Sequence, residues 1–298
     1  KNEKIKTSQD LGLSLSMNMY MKKLWCLMFV FSFVLGLSAQ TKMRVWIKGS
    51  ITDYPVAIID SITFFEDLEG AFSVDVNKKV VFSKGNLQYH PKNNEWRFAE
   101  FQTDCIGGAN DNISDTFDGW IDLFGWGTGS NPMNISGGGE TYIFTDWGIN
   151  QIGNDTPYTW HTLTDKEWHY LRYERNNAER LIGVAQINEV NGLILLPDDW
   201  TCPEGVFHTE RDDTYYAAYQ KISHSDWSKM EQAGAIFLPA AGSRYVSQTD
   251  LVQFYGCYWT ASLYNDYSAC IFQFFSNGAD IDNLNRSMGL SVRLLRKL

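Results

Sequence analysis

Apolar and polar positions alternate along this chain in short runs of strand length, broken every few residues by Gly, Asn, Asp or Pro. From Thr41 to Phe65 two β-branched and aromatic stretches flank Gly49-Ser50 and predict a small β-hairpin or strand pair. Lys79 to Phe82 and Leu87 to Tyr89, a turn at His90 to Asn94, and Trp96 to Phe98 predict another hairpin. Gly192 to Pro197 and Ala235 to Pro239 are short apolar runs ended by proline, the pattern of buried strands. Helix signals are few. Thr164-Asp-Lys-Glu167 is a capping box ahead of Trp168 and Leu171, with the helix expected to run on through 172–181. Ser225 is placed to cap a second helix that Gly234 closes. Many short strands and two helices predict an α+β domain.

The tail carries the clearest strand pattern. Tyr258 to Ser262 and Ala269 to Phe275 predict two strands around a five-residue polar loop, and Ser291 to Leu295 a third. In the second strand Phe272 and Phe274 alternate with Ile271, Gln273 and Phe275, so one set points inward and the other outward. Upstream, 105–159 is dense in Gly, Asn, Asp and Ser but also in Trp. That combination predicts long ordered loops wrapped around aromatic side chains rather than a linker.

Composition adds a size and a compartment. The 298 residues are 44% hydrophobic and 15% aromatic, ample for a sizeable core and too apolar for a disordered chain. The net charge of −10 argues against nucleic acid and anionic membrane as partners. Lys22 and Lys23 precede an apolar run from Leu24 to Leu37 that ends in small residues near Ala39. These are the parts of a secretory signal peptide, and the run is short of the about 20 residues that a membrane span needs. The organisation expected is therefore an upstream read-through over 1–20, a signal peptide over 21–39, a β segment over 40–72 and a main domain over 73–298. The first 39 residues hold five Lys and two acidic residues, so 20 basic and 33 acidic residues remain after cleavage, a net of −13. The expected product is an acidic exported protein, secreted or at the cell surface, with no transmembrane span after cleavage.

Candidate chemistry is sparse. Cys105, Cys202, Cys257 and Cys270 lack CxxC or Cys/His metal spacing, and three pairings are open, with Cys257–Cys270 the first choice. His90, His161, His169, His208 and His224 are scattered, and only His161 and His169 are near neighbours. Asp198-Asp199, Asp212-Asp213 and the acidic residues of 111–118 have no EF-hand spacing. No metal, cofactor or catalytic residue is expected.

One resemblance organises the rest. FSKGNLQY (82–89), WRFAE (96–100), GWIDLFGWGTG (119–129), the LTDKEWHYL helix, GLILLPDDW (192–200), MEQAGAIFLPAAGSR (230–244) and YWTAS with RSMGLSVRLLR in the tail resemble exported proteins of gut Bacteroidetes. Those are related to the Fibrobacter succinogenes major paralogous domain, and the likeness spans about 79–298. It implies a C-type-lectin-like fold, which formylglycine-generating enzymes also use. Many similar proteins look like the variable proteins of diversity-generating retroelements, whose C-terminal segment is a hypervariable ligand-binding face. Calcium-site tripeptides of sugar-binding C-type lectins are absent, as is the closely spaced cysteine pair of the formylglycine-generating enzymes.

Adenine-directed mutagenesis of AAC or AAT codons cannot yield Glu, Lys, Met, Gln or Trp. Residues 263–287 hold one of these five types, Gln273, where 58 in 298 would place about five. On this reading the ligand face lies in 256–293. Trp259, Ser262, Phe272, Phe274, Gly278, Arg286, Gly289, Ser291, Val292 and Arg293 are scaffold. Candidate ligand contacts are Tyr264, Asn265, Asp266, Tyr267, Ser268, Ile271, Gln273, Phe275, Asn277, Asp280, Asp282, Asn283 and Asn285. Tyr and Phe there supply rigid contact area and Asn, Asp and Ser adaptable hydrogen bonds, the chemistry of a paratope. The function expected is non-enzymatic binding of a protein or glycan. The alternatives are a structural or adhesive surface protein of the same fold, and an enzyme of the formylglycine-generating or glycan-cleaving kind.

Overall fold

Strand-length apolar runs set the architecture of this computed structural model, which describes residues 42–47, 50–55, 70–112, 114–134, 143–206 and 219–298. The expected read-through and signal peptide lie outside these residues. The chain divides into two units, 1–65 and 66–298. In the first, β1 (Lys42–Ile47) and β2 (Ser50–Pro55) pair antiparallel from Lys42↔Pro55 to Ile47↔Ser50. This is the predicted strand pair.

The second unit is α+β, with many short strands in small sheets and few helices. It opens with β3 (Phe72–Asp75) and β4 (Lys78–Phe82), followed by the hairpin of β5 (Leu87–His90) and β6 (Glu95–Phe98). Helix α1 (Asp165–His169) is short. The Thr164 hydroxyl accepts from the Glu167 N–H at 3.2 Å while the Glu167 carboxylate accepts from the Thr164 N–H at 2.8 Å, the predicted capping box. The helix does not run through 172–181. A π-helical turn, Tyr170–Glu174, and a separate 3₁₀ turn, Ala178–Arg180, replace it. The reason lies in Arg175, whose buried guanidinium donates to the carbonyls of Leu171, Leu181 and Leu196 and pulls the chain off the helical path.

Next come β7 (Ile182–Ile187), β8 (Val190–Leu195), β9 (Gln220–Ile222), α2 (His224–Gln232) and β10 (Ile236–Pro239). The strands form one sheet in the order β10-β8-β7-β9, with β9 parallel to β7. The two proline-ended runs thus pair with each other, Ile236↔Leu195 to Pro239↔Gly192. The α2 cap is Ser223 rather than Ser225: the Ser223 Oγ accepts from the Asp226 N–H at 3.1 Å, and Ser225 is the second residue of the helix. Gly234 closes the helix at φ +91°, a left-handed conformation that suits glycine.

The tail contains β11 (Ser243–Tyr245), β12 (Gln248–Asp250), β13 (Gly256–Leu263), β14 (Ser268–Phe275), β15 (Gly278–Asn285) and β16 (Leu295–Lys297). The third strand of the tail sheet is β15, not 291–295. Ser291 makes only a single parallel bridge to Tyr258, while β16 joins β4, so the order is β16-β4-β3. Gly256 is obligatory at the start of β13, since a Cβ there would meet the Phe274 ring at 1.9 Å.

Two large clusters sandwich the tail sheet. One gathers Phe72, Phe82, Trp168, Leu193, Tyr258, Phe272 and Phe274. The other gathers Trp96, Phe124, Trp126, Trp147, Trp259, Ile271 and Leu290, so the aromatic loops of 105–159 are ordered around buried rings as expected. Among the described residues no helix is long and apolar enough to cross a membrane.

Candidate ligand face and buried chemistry

Strand alternation decides what the tail can present. Register pairs Tyr258 with Phe272, Trp259 with Ile271, Phe272 with Ile281 and Gln273 with Asp280. One face therefore carries Tyr258, Phe272, Phe274 and Ile281, packed toward α1, where Trp168 stacks on Phe272 with centroids 4.2 Å apart. The other carries Trp259, Ala269 and Ile271 toward the β13–β14 tip and Cys257, Gln273, Phe275 and Asp280 toward the far end, with Asp282 opposite Ile271 between them. The sequence reading puts Ile271 outward, and the structure corrects this. Its side chain is fully buried in the aromatic cluster, because the loop through Phe124 and the segment at Leu290 cover that half of the face.

The remaining candidates fall into two groups at opposite ends of β14, roughly 20 Å apart for a strand of this length. At the β13–β14 tip, Tyr264 and Tyr267 are 60% and 76% exposed. Asn265 and Asp266 are also exposed and Ser268 is half-buried. The tip backbone is held firmly. The Asn265 Oδ1 accepts from the N–H groups of Tyr267 at 2.9 Å and Ser268 at 2.8 Å, and the Ser268 carbonyl accepts from those of Tyr264 and Asn265. Arg286 closes the tip from below, donating through Nη2 to the Asp266 carbonyl and through its N–H to the Tyr267 carbonyl. Beneath lies Trp126, whose Nε1 donates to the Thr260 carbonyl at 2.8 Å, and the Trp259 Nε1 donates to the Phe124 carbonyl at 2.6 Å. Asn285, opposite Ser268, belongs to this end.

At the other end Tyr255 stacks on Phe275 with centroids 4.7 Å apart, and its hydroxyl donates to the Gln273 Oε1 at 2.8 Å. Gln273 then donates to the Asp282 Oδ2 at 3.0 Å. Asp280 accepts from the Tyr173 hydroxyl at 2.9 Å. Asn277 is exposed in the β14–β15 turn, and Asn283 is half-buried on the α1 side. Tyr173 and Tyr255 escape sequence reasoning, since nothing local marks a tyrosine that will bond a residue 107 or 18 positions away.

The scaffold expectation maps onto burial. Trp259, Phe272, Phe274, Arg286, Gly289, Ser291, Val292 and Arg293 are buried and Ser262 and Gly278 half-buried. Gly289 touches the Arg244 guanidinium, which a Cβ would meet at 2.7 Å. Arg293, fully enclosed, donates to the Gln102 Oε1 at 2.6 Å.

Reactive chemistry is muted. Among the described residues Cys105, Cys202, Cys257 and Cys270 are free thiols. The expected Cys257–Cys270 pair does not form, because Cys257 stands opposite Gln273 and the three-residue offset puts Cys270 on the other face of the sheet. Burial pushes the Cys105 thiol up to about 11, helped by Asp122 and Asp104, and raises Cys257 and Cys270 as well. Such thiols stay protonated at neutral pH. Burial also pushes the Asp122 carboxyl up to about 6, against the donors Asn110 and Ile106 that favour its charged form.

His169 pairs with Glu174 at 2.9 Å and His90 reaches Asp118 at 3.5 Å, on separate elements. Asp198 accepts from the Ser73 N–H and hydroxyl and pairs with Lys79, a structural role. Asp212, Asp213 and His208 lie outside the described residues. Among the described residues no group of three or more His, Cys, Asp or Glu is placed to hold a metal ion. No curated protein and no solved structure matches the chain. Residues 212–295, which take in α2 and the whole tail sheet, match a family described as a domain of unknown function (DUF8237).

Proposed function

We propose that this chain is an exported, non-enzymatic binding protein of C-type-lectin-like organisation that recognises a protein or glycan through its C-terminal face. The observation that carries the reading is the β13–β14 tip. Two exposed tyrosines stand on a loop whose backbone is fixed by Asn265 and Arg286 and whose support is a bed of buried tryptophans. Rigid aromatic side chains on a preorganised backbone lose little entropy on binding, which is the economy of a paratope. The contact surface is narrower than the tail as a whole. It centres on Tyr264, Asn265, Asp266, Tyr267, Ser268 and Asn285, with Gln273, Phe275, Asp280 and Asp282 forming a separate strip. An α+β body with few helices, long ordered loops and a tail sheet held between two cores is compatible with the C-type-lectin-like expectation. Protonated thiols favour binding over formylglycine-type chemistry.

The test has two arms. Comparing the gene across independent isolates should show substitutions concentrated at 264, 266–268 and the outer strip, with Trp259, Asn265, Arg286 and Arg293 constant; uniform low variation would remove the diversified site. Screening the full chain against glycan and protein libraries, with Tyr264→Ala/Tyr267→Ala as control, should give a ligand that the double variant loses. A ligand held equally by the control would place recognition elsewhere.

A further inference from the structure

The chain holds two Asn-Gly pairs, Asn191-Gly192 and Asn277-Gly278, and the fold treats them oppositely. This dipeptide carries its own chemistry. The side-chain amide of an asparagine is an electrophile within reach of the next backbone nitrogen. A glycine in second place puts no Cβ in the way and leaves the backbone free to turn toward the amide.

At the first pair the approach is blocked. Asn191 donates through Nδ2 to the Gln253 carbonyl at 2.9 Å, accepts through Oδ1 from Gln186 at 2.8 Å, and donates its N–H to the Gln253 Oε1 at 2.7 Å. Gly192 is buried in an inner strand of the four-stranded sheet, with Ala185 on one side and Pro239 on the other. A Cβ there would meet the Phe237 ring at 2.3 Å, so the backbone has no room to swing.

The second pair lies at the turn between β14 and β15. Ser276 and Asn277 are both exposed there, and among the described residues no hydrogen bond holds the Asn277 amide. Gly278 stands at φ +147°, a conformation that suits glycine, with open space where a Cβ would lie. It pairs with Phe275 as the last rung of the ladder, and a terminal rung opens locally at little cost.

We propose that Asn277 is a site of spontaneous covalent modification, deamidation through a cyclic imide formed with Gly278. The Gly278 nitrogen attacks the Asn277 Cγ. The N–Cγ bond forms, the Cγ–Nδ2 bond breaks, and the amide leaves as ammonia with the proton that the Gly278 nitrogen gives up. Water then opens the ring at either carbonyl and leaves an aspartyl or an isoaspartyl residue at 277. One water enters, one ammonia leaves, and nothing is oxidised or reduced. The product adds a carboxylate to the strip that already carries Asp280 and Asp282. Its isoaspartyl form also lengthens the main chain of a turn only two residues long, which works against the Phe275–Gly278 rung. The modification goes beyond the binding function above and holds whether or not the strip meets a ligand.

Incubation of the folded full chain in mildly alkaline buffer, followed by peptide mapping in a mass spectrometer and by enzymatic methylation of isoaspartyl residues, tests this. Conversion is expected at 277 while 191 keeps its amide, with a new acidic band on isoelectric focusing that Asn277→Gln abolishes. Gly278→Ala should slow the conversion severalfold, and Asn277→Gln serves as the fold-neutral check, since an exposed amide is exchanged for another. In urea both pairs should convert at similar rates. A folded chain in which 277 is as resistant as 191 over the time that both react in urea overturns the proposal, as does equal conversion of the two pairs in the folded state.

Discussion

Trp168 lies flat on Phe272, with ring planes 5° apart and centroids at 4.2 Å, and this stack is the joint between α1 and the central strand of the tail sheet. Both rings are essentially dry. Truncation removes apolar contact on both sides at once and leaves a cavity that neighbouring strands cannot close. Phe272→Ala is expected to cost about 3–5 kcal/mol of unfolding free energy. Urea unfolding followed by tryptophan fluorescence measures it, and a loss below about 1 kcal/mol would mean that the joint carries little.

The tip behaves differently. Tyr264→Ala and Tyr267→Ala should each change stability by no more than about 0.5 kcal/mol, because both rings stand in solvent. Arg286→Ala should free the Asp266 carbonyl, while the main-chain bond to the Tyr267 carbonyl stays, and raise amide exchange across 264–268. Unchanged exchange in that variant would show that the loop holds itself without the arginine.

Acidity separates two kinds of carboxylate. Asp122, held near 6, binds a proton in the folded chain between about pH 4 and 6 that the unfolded chain does not. Its contribution is present in full at low pH and lost as pH rises through 6. Glu167 runs the other way. Burial raises it, but Lys78 and Thr164 outweigh burial and hold it below the usual range, so its contribution is lost as pH falls through that lowered value. The melting temperature should therefore climb on acidification from pH 8 to 5.5 and drop below pH 4. General relief of negative charge also favours the acidic side, and Asp122→Asn separates the effects by flattening the climb. A climb of equal steepness in that variant would clear Asp122 of the role.

Thiol accessibility checks the free cysteines. Cys202 is exposed and should react with a disulfide reagent at once in the native protein, Cys105 more slowly, and the buried Cys257 and Cys270 only on unfolding. For the chain taken without its first 39 residues, which hold Cys26, four equivalents after denaturation without reductant is the expected total. Two missing equivalents would reveal a bridge.

Edge strand β15 supplies one more prediction. Its outward N–H groups at Ile281 and Asn283 are met by the carboxylates of Asp280 and Asp282, at 2.7 and 2.8 Å, and Arg172 Nε donates to the Ala279 carbonyl. An open edge invites pairing with another chain. The double substitution Asp280→Val/Asp282→Val should raise self-association in analytical ultracentrifugation, and a variant that associates no more than the parent would show that other features guard the edge.

The capping box at Thr164, the paired proline-ended runs and the buried aromatics of 105–159 were legible because each rests on local chemistry or on sheer apolar content. Strand β15 was not. Its sequence, GADIDNLN, is poor in β-branched and aromatic residues, and neighbouring Phe272 and Phe274, not intrinsic preference, make it a strand. Ile271 was misread for the complementary reason: alternation tells which face a side chain takes, and only the distant loop around Phe124 tells that this face is covered.

Return to Asn265 and Arg286. Every hydrogen bond that shapes the tip uses main-chain atoms or one of these two side chains. The positions at 264, 266 and 267 are thus exchangeable fittings on a fixed mount, free to change identity without changing the curve of the loop. A repertoire drawn on this scaffold has its latitude there, and Asn265 is part of the mount.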